Sequence, residues 1–230
     1  MAEARNMAAL ATVEAHDRDP LLHARANLDA RLVMLAFPDS PRARAYRQLC
    51  ENLIERGMPR VVAVSSAAPG EGKTSCALNL ALAFAEEQGP RTLLVDGNFF
   101  APSLAKIFGV DQGIPAAASL ELPWLDPYAL VELTPSLHVA VMPGDRTPPR
   151  FDARRFDQLI DLLSGAGYDH IVIDSPALDG SAAVRRVIAA ADGVLLAARA
   201  GHTTTRALRR AAEQVPTGRL LGAALVDADV

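Results

Sequence analysis

The stretch Val61-Val62-Ala63-Val64-Ser65-Ser66-Ala67-Ala68-Pro69-Gly70-Glu71-Gly72-Lys73-Thr74-Ser75 constrains this chain more than any other. A short β-branched apolar run reads as a buried strand. A tight Pro/Gly turn follows, and Gly-Lys-Thr then opens a helix, which is the context a phosphate-binding loop (P-loop, Walker A) needs. The glycines let successive backbone N–H groups curl inward on one anion. The helix behind them adds its unpaired N-terminal donors and the positive end of its dipole. Lys73 supplies a full charge for terminal phosphates, and the Thr74 hydroxyl stands where a Mg²⁺ ligand is wanted. One position departs from the usual pattern, with Ala67 in place of its first glycine.

Around this stretch, apolar strands alternate with helical patterns. Ser40 caps a predicted helix from Pro41 to about Arg56, with Tyr46, Leu49, Leu53 and Ile54 on one face. A helix from Thr74 to about Glu87 follows the loop and is stopped by Gly89-Pro90. Further strands are predicted at Thr92–Asp96, Leu137–Met142, Ile171–Asp174, Val194–Ala198 and Leu220–Val226. Helices are predicted near 103–108, 152–164, 180–191 and 203–214. Residues 110–136 read as loop with one short helix, holding Trp124 as a locally packed hydrophobe, and 147–149 as a proline-rich linker. The pattern is that of an α/β fold, a P-loop NTPase-like, mostly parallel β-sheet with helices on both faces. Residues 1–37 are expected to be a partly flexible N-terminal arm and 38–230 the domain itself.

In such sheets ligands sit beyond the carboxyl ends of the strands. Asp96 ends Leu93-Leu94-Val95, and Asp174 ends Ile171-Val172-Ile173. Asp174 suits the carboxylate that holds Mg²⁺ through water. Asp96 suits a second carboxylate that binds Mg²⁺ or accepts a nucleophile's proton, with helix capping as its alternative.

Composition narrows the class. A net charge of −4 with scattered arginines argues against a nucleic-acid face. Cys50 and Cys76 lack ligand-like spacing and read as buried apolar residues of a reducing compartment. No apolar run approaches the ~18 residues of a spanning helix, and no signal peptide is visible. A soluble cytoplasmic protein is expected, reaching the inner face of the membrane only through a partner. The five histidines are too far apart for a helix-borne metal pair.

Together these residues resemble the cytoplasmic ATP-binding domain of bacterial tyrosine kinases that accompany polysaccharide co-polymerases. More distantly they are similar to partitioning and septum-positioning ATPases with a deviant P-loop. The matches are Ser66 to Thr74, Ala45-Tyr46-Arg47-Gln48-Leu49, Leu93 to Gly97 with Pro102, Val141 to Gly144, Tyr168 to Pro176 and Ala191 to Leu196. Ala68 stands where partitioning ATPases usually carry a signature lysine.

The resemblance implies Mg·ATP binding and a role in exopolysaccharide chain-length control or export. The implied partner is a membrane-embedded co-polymerase, with nucleotide-dependent self-association besides. The implied nucleotide-binding set is Pro69, Gly70, Glu71, Gly72, Lys73, Thr74 and Ser75. Lys73, Asp96 and Asp174 form the catalytic set, and Thr74, Asp96 and Asp174 the magnesium set.

Departures qualify the match. Asn98 replaces a carboxylate of the family's Asp-x-Asp motif, and the basic residue after it is gone. The oligomerisation motif Glu-x-x-Arg-x-x-Arg appears as Arg44, Arg47 and Cys50. The base-contacting Asn near the last strand is replaced around Val226. The C-terminal tyrosine cluster is absent, the only tyrosines being Tyr46, Tyr128 and Tyr168. Tyr46 and Tyr168 read as packing residues. Two alternatives therefore stand beside an active enzyme: a nucleotide-sensing pseudokinase without phosphotransfer, and a partitioning-type ATPase.

Overall fold

Why the strands are apolar along their whole length is clear from a computed structural model of the chain. The model describes residues 29, 31–57, 59–86, 91–108, 119–120, 128–142 and 153–226. Among the described residues eight strands form one sheet: β1 (Val61–Ser66), β2 (Thr92–Asp96), β3 (Ser119–Leu120), β4 (Ala129–Thr134), β5 (Leu137–Val141), β6 (His170–Asp174), β7 (Gly193–Arg199) and β8 (Leu220–Val226). Their spatial order is β3-β4-β5-β2-β6-β1-β7-β8. All pairs are parallel except β3·β4 and β4·β5.

Side chains alternate between two apolar layers, as period-2 geometry requires. Val62, Val64, Leu94, Val172 and Leu195 enter one layer. Their neighbours Val61, Ala63, Leu93, Val95, Ile171, Ile173, Val194 and Leu196 enter the other. The first layer is covered by α1 (Val33–Ala36), α2 (Pro41–Glu55) and α3 (Lys73–Glu86). The second is covered by α5 (Ala153–Gly165), α6 (Ala182–Ala189) and α7 (Thr205–Ala212). A single turn, α4 (Leu104–Ile107), follows β2.

The helix ends follow the local chemistry. Ser40 caps α2 by accepting from Ala43 N at 3.1 Å, with Pro41 at the first helical position. Ser181 and Thr204 cap α6 and α7 in the same way. α3 is buried from Cys76 through Phe84, because it lies between α2 and the sheet.

Two features depart from the sequence reading. Part of 110–136, read as loop, forms β3 and β4, with β4 antiparallel to β5. Its Ala-Leu-Val-Glu-Leu-Thr alternation is strand-like, and a two-residue turn at Pro135-Ser136 joins it to β5, with a register shift between Glu132 and Thr134. The stretch 31–37, read as the end of an arm, packs on the core, with Leu32, Val33 and Met34 buried. The expected arm at 1–20, the helix stop at Gly89-Pro90, Trp124, the linker 147–149 and the tail 227–230 lie outside the described residues.

Asn79 makes that packing specific. This fully buried amide in the middle of α3 accepts from Met34 N at 2.9 Å. It also donates to Arg31 O at 2.6 Å and to Ser75 O at 2.7 Å. Replacing it strands backbone groups in an apolar setting. Asn79→Ala is expected to lower stability by about 2–3 kcal/mol in urea denaturation. Limited proteolysis should then show faster cleavage within 31–37, with cleavage elsewhere in the folded protein unchanged.

Candidate functional site

Parallel pairing brings sequence-distant groups to one place. Across β1 and β6, Val64 lies opposite Asp174; across β6 and β2, Asp174 lies opposite Asp96. The two carboxylates therefore end adjacent strands, next to the strand that carries the glycine loop. Gly97 lets the chain turn tightly there. Its N–H donates to Asp174 O at 2.9 Å, and a Cβ on it would stand 2.6 Å from Ile173 Cγ2.

After β1 the chain curls through 67–72. Gly70 and Gly72 take φ of +81° and +85°, the left-handed region that glycine enters without strain. Gly72 is also tightly approached, since a Cβ on it would lie 2.7 Å from Val226 Cγ1. α3 then starts at Lys73, which is 9 % exposed.

The Thr74 hydroxyl donates to Asp174 Oδ2 at 2.7 Å, leaving the oxygen's own lone pairs available. Asp174 Oδ1 is buried and, among the described residues, has no hydrogen-bond partner. Burial pushes the Asp174 carboxyl up to about 7, and the charge of Asp96 adds to the rise. The Thr74 hydrogen bond, Lys73 and Arg31 oppose it.

Asp96 is engaged differently. Its Oδ2 accepts from Ser103 N at 3.0 Å and Leu104 N at 3.1 Å, and its Oδ1 from Asn98 N at 3.3 Å. Its carboxylate thus caps α4, the alternative the sequence left open. Burial raises it to about 6 against those amides and Lys73. The Tyr128 hydroxyl donates to Asp96 O at 2.9 Å.

Glu71 stands in the loop, but its carboxylate is taken up within the protein. Oε2 accepts from Ala68 N at 2.9 Å and Oε1 from the Thr203 hydroxyl at 2.7 Å. Beside Ser75, a cavity of about 380 Å³ is lined by residues that include Arg31, Arg42, Tyr46, Leu225 and Val226. Tyr46 packs on the core with part of its surface at this cavity, and Tyr168 is fully packed. Of the three positions matching the oligomerisation motif, Arg47 pairs with Glu86 at 2.6 Å, Arg44 donates to Asp39 O at 2.7 Å, and Cys50 is buried.

The residues fit magnesium and a nucleotide phosphate in kind. A buried carboxylate oxygen lacks a partner, a hydroxyl keeps free lone pairs, and a lysine and a curled backbone flank them. Among the described residues no group of three or more His, Cys, Asp or Glu is placed to hold a metal ion. That suits a small hard cation held by one or two protein oxygens, water and phosphate, not by a protein cage.

Sequence reasoning missed Thr203 and Asn79. Asn79 leaves a signal, as a lone amide amid Leu78, Leu80 and Ala81. Thr203 leaves none, lying 132 residues from its partner.

The raised carboxyls have a stability consequence. An acid whose folded pKa exceeds its unfolded value contributes stability that is complete below about pH 4 and is lost as pH climbs through the folded value. For Asp174 that window runs from 3.8 to about 7. Without metal, Asp174→Asn should therefore stabilise the protein at pH 7.5 by on the order of 2 kcal/mol, and clearly less at pH 5. Burial lowers His138 to about 4, which works in the opposite direction over part of this range. Paired denaturation of wild type and variant at each pH isolates the Asp174 contribution.

No protein-family model matches the chain. It is 26% identical over 205 residues to tyrosine-protein kinase YwqD of Bacillus subtilis, covering 85% of each chain. It is 28% identical to tyrosine-protein kinase CpsD of Streptococcus pneumoniae, covering 80% of this chain and 84% of that one. It is 27% identical to the succinoglycan biosynthesis transport protein ExoP of Rhizobium meliloti, over 86% of this chain but 26% of ExoP. Among solved structures, the chimerical protein CapA2B2 superposes with a TM-score of 0.70 at 24% identity, covering 87% of this chain and 91% of that one. The kinase domain of Escherichia coli tyrosine kinase ETK gives 0.67 at 18% identity, covering 95% and 86%. MinD of Aquifex aeolicus gives 0.53 at 20% identity, covering 73% and 68%. At these identities the solved structures speak for the fold alone. The chain is similar in sequence to bacterial tyrosine-protein kinases and has the α/β P-loop fold seen in the ParA and MinD ATPases.

Proposed function

We propose that the chain binds Mg·ATP at the loop 69–75 and acts as a tyrosine-kinase-like component of exopolysaccharide biosynthesis or export. The observation that carries this reading is the Thr74–Asp174 hydrogen bond, with Asp174 Oδ1 left unpartnered beside a curled glycine loop. In this reading Gly70, Glu71, Gly72 and Ser75 offer backbone donors to the phosphates, Pro69, which has no N–H, shapes the turn before them, and Lys73 adds its charge. Thr74 holds Mg²⁺ directly and Asp174 does so through water, while Asp96 lies within the same charged cluster. Bound magnesium supplies neutralisation of phosphate charge. The cavity beside Ser75 takes the nucleoside.

The domain is assigned to residues 38–230, with 31–37 packed onto its core. The partner is a membrane-embedded polysaccharide co-polymerase, a choice supported by the match to part of ExoP. Among the described residues no helix is long and apolar enough to cross a membrane.

A second reading is favoured by one observation. Asp96 is bonded to three backbone amides, and Asn98 replaces the carboxylate two residues on. Both weaken the case for a free general base and favour a nucleotide sensor that transfers no phosphate.

Single-turnover incubation with γ-labelled ATP separates the outcomes: label on protein, label released as phosphate, or ATP bound intact. Absence of Mg·ATP affinity in the wild type would end both readings. Lys73→Met is expected to weaken Mg·ATP binding roughly 100-fold by calorimetry, equivalent to about 2.7 kcal/mol. The fold should be unchanged by circular dichroism.

A further inference from the structure

A carboxylate inside a phosphate-binding loop is an electrostatic problem. Glu71 stands between Gly70 and Gly72, is 7 % exposed, and carries the same sign of charge as the ligand the loop is read to hold. Left without fixed partners, it would compete for the donors of its own loop, the amides of 70–75 and Lys73. Those are the groups a phosphate needs.

The structure gives it other partners. Thr203 lies in the turn after β7, which is closed by His202 N and Thr203 N donating to Arg199 O. The Thr203 Oγ1 accepts from Arg199 N at 2.7 Å, so its own hydrogen is directed to Glu71 Oε1, also at 2.7 Å. The other carboxylate oxygen is held by Ala68 N at 2.9 Å. The turn is itself tied to β8 through Ala200 N and Val226 O at 2.9 Å, and Val226 packs on Gly72. In the sheet, β7 flanks β1 on the side opposite β6 and β2, where Asp174 and Asp96 end their strands.

We propose that Thr203 is a positioning residue of the phosphate site: its hydroxyl, with Ala68 N on the other oxygen, holds the Glu71 carboxylate on the β7 side of β1, leaving the amides of 70–75 and Lys73 for a nucleotide phosphate. This rests on the nucleotide reading above and adds to it a residue that touches no ligand. The hydroxyl acts through Glu71, so its worth disappears once Glu71 no longer carries charge.

The test uses the full chain and Mg·ATP titration by calorimetry. Thr203→Val removes the hydroxyl at nearly constant shape and is expected to weaken binding about tenfold. Thr203→Ser restores the hydroxyl and is expected to stay within about twofold of wild type. Added to Glu71→Gln, Thr203→Val should cost nothing further, a coupling that independent structural defects do not produce. Thr203→Ala serves the same comparison if the valine variant is recovered unfolded.

Unchanged affinity in the hydroxyl-less variants, an equal loss in Thr203→Ser, or additive losses in the double variant would each overturn the proposal. Hydrogen exchange at the Ala68 amide, measured without nucleotide, tests the clasp separately. Protection should fall in Thr203→Val and hold in Thr203→Ser, and unchanged protection in Thr203→Val would overturn the clasp. A wild type that binds no Mg·ATP would instead remove the nucleotide reading.

Discussion

The hydrogen bond from Thr74 to Asp174 joins the first turn of α3 to the end of β6. It crosses 100 residues of sequence and fixes the helix that opens the site relative to the strand that closes it. The bond also settles the direction of the proton. Because the hydroxyl donates to the carboxylate, its oxygen is left as an acceptor. A buried carboxylate with one oxygen bonded and the other without a partner among the described residues is a costly arrangement. Its raised pKa is the thermodynamic sign of that cost.

Around that bond the sheet does the placing. Parallel strands in register carry their C-terminal residues to a common edge, so Asp96 and Asp174 become neighbours although 78 positions separate them in sequence. The two carboxylates then diverge in environment. Asp96 is surrounded by backbone donors from the following loop, whereas Asp174 meets one hydroxyl. Equivalent residues at equivalent strand ends thereby acquire different chemistry from the loops that follow them.

Much of this was legible in the sequence, and for physical reasons. The strand-loop-helix at 61–75 declares itself because each part is locally encoded: β-branched residues, turn glycines and a lysine at the helix start. The apolar runs ending in Asp96 and Asp174 show strands buried on both faces. What stayed hidden depends on distant partners. β4 was unreadable as a strand because its partner β5 supplies the pairing that stabilises so short and bulged a segment. The partner of the Glu71 carboxylate stayed hidden, since nothing near it in sequence announces Thr203. Residues 31–37 were read as part of the arm because the amide that secures them sits in α3.

α3 is enclosed along nearly its whole length, with α2 on one side and the sheet on the other, and its far end is clamped by the Arg47–Glu86 pair. A rod packed on every flank at crystal-like density has no direction in which to slide. Its first turn, with Lys73 and Thr74, is therefore carried as one piece with the sheet, like a fixed anvil under the glycine turn.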